Sequence, residues 1–163
     1  MNSDFTPFVI HIRLKYEHAE KDPLQIKYRR EGKVFAVTGN SYEDYIRHKP
    51  ELTNIKGRIV EVGAGLGGLL PRIGGDVIDP MPYEEIEKAL QEFQKTYEGP
   101  LGHILEERLE RFSFYTRANV INKTLEEAMQ DPKLVGAYDV AIAFKCPCDK
   151  ELLSFLADRV IYF

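Results

Sequence analysis

The sequence predicts an α/β protein: a parallel sheet of about five strands with helices on both faces, preceded by a few antiparallel strands. Three observations carry that expectation. Arg58 to Asp79, reading RIVEVGAGLGGLLPRIGGDVID, has the pattern strand, glycine turn, short helix, strand. Its first apolar run, Ile59, Val60 and Val62, is interrupted only by Glu61, as in the central strand of a sheet buried on both sides. Further strand-like runs follow at 118–121, 138–144 and 159–163, separated by stretches of helical periodicity. Before Arg58, by contrast, apolar and polar residues alternate with the period of half-buried antiparallel strands.

Taken in order, Phe8, Ile10, Ile12, Leu14 and Tyr16 alternate with Val9, His11, Arg13 and Lys15. After Lys21-Asp22-Pro23, Leu24, Ile26 and Tyr28 alternate with Gln25, Lys27 and Arg29, and a Glu31-Gly32 turn leads into 33–38. The polar face collects His11, Arg13, Lys15, Lys27 and Arg29, with Arg30 and Lys33 near the turn. It reads either as a solvated sheet face or as a surface for an anionic partner such as RNA. Ser41 followed by Asp44 predicts an N-cap and a helix over 42–47, ending before Pro50. Tyr42, Tyr45 and His48 on it would line a ligand pocket or pack on the sheet. Between Gly68 and Gly74 there is room for only about two helical turns, and Pro71 must sit in the first of them.

Ile86, Leu90, Phe93 and Tyr97 recur at helical spacing over 83–97, and Gly99-Pro100 ends that helix. A second helix over 101–114 turns Ile104, Leu105, Leu109 and Phe112 inward, either as padding or as the lining of a site. Asn122 sits at the tip of the third strand of the parallel series, and Thr124 with Glu127 has capping-box spacing for a helix over 125–130. The fourth strand, 138–144, leads into the loop Lys145-Cys146-Pro147-Cys148-Asp149, then a helix over 150–157 and a last strand.

A chain of 163 residues suits one core. Residues 1–40 are expected as an antiparallel appendage and 41–163 as the sheet domain, together one compact unit. No apolar run approaches membrane-spanning length and the N-terminus lacks a signal-peptide core, so a cytoplasmic location and no membrane association are expected. Cys146 and Cys148 are the only cysteines, which excludes a disulfide framework and a four-cysteine metal site. No metal is expected. The net charge of -4 argues against bulk nucleic-acid affinity but permits local basic patches.

The motif Glu61-x-Gly63-x-Gly65-x-Gly67, between a strand and a helix and followed by Asp79 after the next strand, resembles class I S-adenosylmethionine-dependent methyltransferases over about Arg58 to Phe163. Gly63, Gly65 and Gly68 also satisfy the dinucleotide spacing, which keeps an NAD-dependent oxidoreductase as an alternative. Glu61 decides, because the methyltransferase family carries an acid just before the first glycine. The resemblance implies a Rossmann-like methyltransferase core with S-adenosylmethionine as a small-molecule methyl donor. It implies that Gly63, Ala64, Gly65 and Gly67 meet the methionine end and that Asp79 takes the ribose hydroxyls. Pro80 and Met81 would flank the adenine, Asn122 would stand near its edge, and Phe144 would complete the cofactor site. Glu61 would serve the donor's α-amino group directly or by ordering the turn.

The acceptor is not identified. It would lie beyond the tips of the first and fourth strands of the parallel series, with Lys145, Cys148, Asp149 and Tyr42 as catalytic candidates. Pro147-Cys148 is similar to the Pro-Cys of cytosine-C5 methyltransferases, whose other motifs are absent. A catalytically silent cofactor-fold module serving in binding or assembly is the second reading, motivated by the short helix at Pro71, the Lys145 loop and the early chain end. The last strand would leave an apolar edge, expected to be paired by the N-terminal strands or covered in a homodimer.

Overall fold

A computed structural model describes residues 9–14, 23–37 and 39–163. Phe8, Lys15, Tyr16 and Thr38, which the sequence places in strands, lie outside the described residues.

The chain forms two sheets. Strands β1 (Val9–Leu14), β2 (Leu24–Arg30) and β3 (Lys33–Val37) make an antiparallel sheet in that order. The hairpin between β2 and β3 turns at Glu31 and Gly32, whose φ angles of 51° and 80° match the twist of the flanking strands. The second sheet is wholly parallel and has the order β6-β5-β4-β7-β8. Its members are β4 (Ile59–Val62), β5 (Asp76–Ile78), β6 (Val120–Ile121), β7 (Tyr138–Ala143) and β8 (Ala157–Tyr162). This is the Rossmann-like arrangement, in which the chain leaves the central strand β4 first toward one edge and later, through β7, toward the other. A crevice therefore opens at the carboxyl ends of β4 and β7.

Among the described residues six α-helices cover this sheet: α1 (Tyr42–His48), α2 (Leu70–Ile73), α3 (Tyr83–Thr96), α4 (Gly102–Tyr115), α5 (Leu125–Ala128) and α6 (Lys150–Leu156). One face buries Ile59, Val77, Val140 and Ile142 against α1, α3 and α4; the other buries Val60, Val62, Ala141 and Ala143 against α5 and α6. Central strands shielded on both sides favour apolar residues on both faces, which explains the near-continuous apolar runs read in the sequence. Ser41 accepts from the Asp44 amide, and Thr124 and Glu127 form the reciprocal capping box, as their spacing predicts. α2 is a single turn with Pro71 in it.

The antiparallel sheet is not a detached appendage. Leu24, Ile26 and Tyr28 on its inner face belong to the same core as Ile59, Ile86 and Phe112. The expectation that N-terminal strands pair beside the last strand is not met among the described residues. β1 to β3 bond to one another, and β8 pairs only with β7. The physical reason is the alternation itself: it gives β2 one apolar face that is satisfied by lying across the core, not edge-on to β8.

Candidate functional site

The glycine turn after β4 is tied to its surroundings through both amides and carbonyls. Its amides donate inward: Gly63 to the Ile78 carbonyl at 2.9 Å, Gly67 to Ala64 at 2.9 Å and Gly68 to Asn40 at 2.8 Å. Gly65 donates to Asp79 Oδ2 at 2.8 Å. Its carbonyls accept from the connection between β5 and β6: Gly65 from the Tyr83 hydroxyl at 2.5 Å, Leu66 from Arg111 at 3.0 Å and Gly67 from the Tyr115 hydroxyl at 2.6 Å. Tyr83 and Tyr115 stack with their rings 5.0 Å apart. The second connecting helix, α4, is thus a clamp on the turn, and neither Arg111 nor Tyr115 was distinguishable in the sequence from an ordinary residue on a helix.

Glu61 stands behind this turn. It is fully buried, accepts from the Tyr45 hydroxyl at 2.8 Å through Oε2, and has no partner at Oε1. Burial pushes its pKa up to about 8, against the opposing effect of the Tyr45 hydrogen bond. Tyr45 in turn presses on Gly67, where a Cβ would lie 2.0 Å from its hydroxyl. Glu61 therefore reaches the turn through Tyr45, which favours the ordering role over direct contact with a ligand.

Asp79 sits at the tip of β5, where the sequence places it. Its two oxygens accept from Gly65 and Met81 amides, both at 2.8 Å. Burial raises its pKa and those two hydrogen bonds oppose the rise. Asn122 donates to the Asp79 and Met81 carbonyls at 3.0 and 2.8 Å, so it fixes the loop carrying Asp79, Pro80 and Met81.

Beyond the turn lies a cavity of about 230 Å³. Gly63, Gly65, Asp79, Pro80 and Met81 line it, as do Lys145, Cys146, Pro147 and Cys148 from the loop after β7. The other walls were not anticipated: Tyr28, Phe35 and Val37 come from the antiparallel sheet, and Thr124, Leu125 and Glu126 from the start of α5. Tyr28 and Phe35 stack 5.1 Å apart. Their alternation signalled burial, but sequence gives no sign of what a short sheet packs upon.

The structure separates the remaining candidates from this cavity. Tyr42 lies on the opposite side of the turn, in a cleft with Pro71 and Glu107, and its ring carries the Arg72 guanidinium at 4.5 Å. Phe144 is 2 % exposed and packs between Tyr45 and Phe163, each ring 4.4 Å away. His48 accepts from or donates to nothing in the cavity; its Nδ1 is 2.8 Å from the Asp44 carbonyl. Ala64 is buried in the core. Asp149 caps α6 by accepting from the Glu151 amide at 2.8 Å.

Two features of the β7 loop are chemically uncommon. Lys145 adopts φ of 54° without being glycine, and its amide donates to the Phe163 carbonyl at 2.6 Å. Cys146 and Cys148 are hydrogen-bonded thiols: the bond lifts the Cys146 pKa and holds Cys148 below the ordinary thiol range. Gly63 leaves space for Cys146, since a Cβ there would lie 2.6 Å from Sγ. The cavity therefore presents an apolar, aromatic enclosure, one anchored carboxylate and a pair of neighbouring thiols. No group of three or more metal-ligating side chains occurs among the described residues.

No protein-family model matches the chain, and no curated protein or solved structure matches it either.

Proposed function

We propose that the cavity binds S-adenosylmethionine and that the protein transfers its methyl group to an acceptor. The observation that carries this reading is the commitment of the glycine-turn amides. A dinucleotide needs free N–H groups to cradle its pyrophosphate. Here the Gly63, Gly65, Gly67 and Gly68 amides already donate to internal acceptors. The enclosure therefore suits an adenosine-sized, phosphate-free ligand better than NAD.

The residues present fit such a donor. Asp79 lines the cavity and each of its oxygens keeps a second lone pair for a ribose hydroxyl. Met81 and Pro80 offer apolar contacts beside it, and the aromatic pair Tyr28 and Phe35 excludes water from above. The bound donor would supply a sulfonium-activated methyl group. What this chain contributes is positioning and dryness, the main requirements of a displacement with a good leaving group. Cys148 is the one nucleophile on the wall whose environment favours its charged form.

A second reading, a binding module without catalysis, is favoured by two observations. Among the described residues the cavity lining holds no histidine, and the candidate base Asp149 is spent as a helix cap.

Calorimetry tests the ligand that both readings share. S-adenosylmethionine and S-adenosylhomocysteine are expected to bind with one site per chain and NAD not to bind. Binding of NAD in preference to both would overturn the proposal. Incubation with tritiated donor and a pool of nucleic acid, protein and small molecules then tests transfer, and label remaining wholly in the donor would favour the silent module.

A further inference from the structure

The antiparallel sheet has two faces of opposite chemistry. The inner face is core. On the outer face the strand register sets His11 opposite Lys27, Arg13 opposite Gln25, and Arg29 opposite Val34. His11, Arg13, Lys27 and Arg29 are all exposed, and no described residue of that face is acidic. Arg13, Lys27 and Arg29 make no ion pair among the described residues. A chain with 26 acidic and 22 basic residues thus has one sheet face whose described residues include no acid. Single lysines on a solvated sheet are ordinary. Cations set together on one sheet face without counter-charge repel each other, and an anionic partner relieves that repulsion.

The positive charge continues around the β2–β3 turn. Arg30 and Lys33 are cross-strand partners of the opposite parity, so they project to the cavity side. Arg30 donates to the Pro80 carbonyl at 2.6 Å. Both line a cleft of about 240 Å³ that shares Phe35, Pro80 and Thr124 with the cavity. Glu31 and Glu127 line the same cleft, so the basic track runs unopposed over the described outer face and meets two carboxylates where it reaches the cavity mouth at Lys33.

We infer that this track binds a single-stranded nucleic acid through its phosphates, from Arg13 across Lys27 and Arg29 to Lys33 at the mouth. The described side chains of that face are all exposed, so no described helix covers it, and a three-stranded sheet is broader than the helix or two-stranded ribbon that a duplex major groove admits. Among its described side chains only Val34 and Ala36 are apolar, too little to seat in a lipid interface. The inference stands on charge and register and does not rest on the methyl-donor reading.

The test is fluorescence anisotropy of a labelled oligouridine RNA with the full chain over a series of salt concentrations. Neutralising four phosphates with Arg13, Lys27, Arg29 and Lys33 predicts a slope of log affinity on log salt of about -2.8. The double variant Lys27→Glu, Arg29→Glu should lose about half of that slope and roughly tenfold or more in affinity at moderate salt. Lys27→Gln, Arg29→Gln should fall between, with unchanged thermal melting and unchanged S-adenosylhomocysteine binding. Comparable binding of a DNA oligonucleotide supports phosphate contact. A salt-independent affinity, equal affinity of wild type and double variant, or binding of phosphatidylserine vesicles in place of RNA would overturn the inference. Loss of S-adenosylhomocysteine binding in the wild type would sink the methyl-donor reading and leave this one standing.

Discussion

At the scale of single residues, Glu61 carries the strongest prediction. Its pKa is raised from 4.5 to about 8, so the folded chain holds a proton that the unfolded chain releases between those values. Stability attributable to this group is fully present below pH 4.5 and is lost as pH rises through about 8. The slope cannot exceed about 1.4 kcal/mol per pH unit for one proton. Glu61→Gln keeps an acceptor for Tyr45 and removes the titration. Denaturant unfolding at several pH values should show the variant gaining on the wild type as pH rises from 5 to 8; parallel curves would contradict the assignment. Gly67 makes a second test. An alanine there puts its Cβ 2.0 Å from the Tyr45 hydroxyl and must break the bond to Glu61. Leaving that buried carboxyl unpartnered should cost about 1–3 kcal/mol. In a Tyr45→Phe background the same substitution should cost clearly less, because the hydrogen bond is already gone.

At the scale of elements, α4 is the clamp of the glycine turn. Helix periodicity identified its buried side through Leu105 and Phe112, yet Arg111 and Tyr115 act from the same stripe by reaching the Leu66 and Gly67 carbonyls. Hydrophobic patterning cannot show such contacts, because it records only that a face is inward and not which polar atoms it meets there. Tyr115→Phe removes one hydroxyl at near-constant volume. It should cost about 1 kcal/mol, and it should speed amide exchange in the turn while β7 stays protected. Exchange that rises equally in both would mean that the helix stabilises the whole sheet without fixing the turn.

At the scale of the whole molecule, the parallel sheet was legible because each of its strands is an apolar run bounded by turn chemistry, and Glu61, the glycines and Asp79 all fall where that pattern puts them. The cavity was half legible. The loops after β4, β5 and β7 are set by topology, so Gly63, Asp79 and Cys146 meet there. Tyr28 and Phe35 come from a sheet whose packing partner no local pattern encodes, and Tyr42 and Phe144 stand outside the lining of this cavity because a turn has two sides that sequence does not distinguish. The edge strand β8 carries exposed Asp158 and Arg159, charges of the kind that discourage edge-to-edge pairing. No helix among the described residues is long and apolar enough to cross a membrane.

The most direct measurement is a crystal structure of the full chain with S-adenosylhomocysteine. Density is expected in the cavity bounded by Gly63, Asp79, Met81 and Cys146, with the ribose against Asp79 and the vacant methyl position facing the Cys146–Cys148 loop. Density seated instead in the cleft between Tyr42 and Glu107, or a cavity that remains empty at saturating ligand, would contradict it.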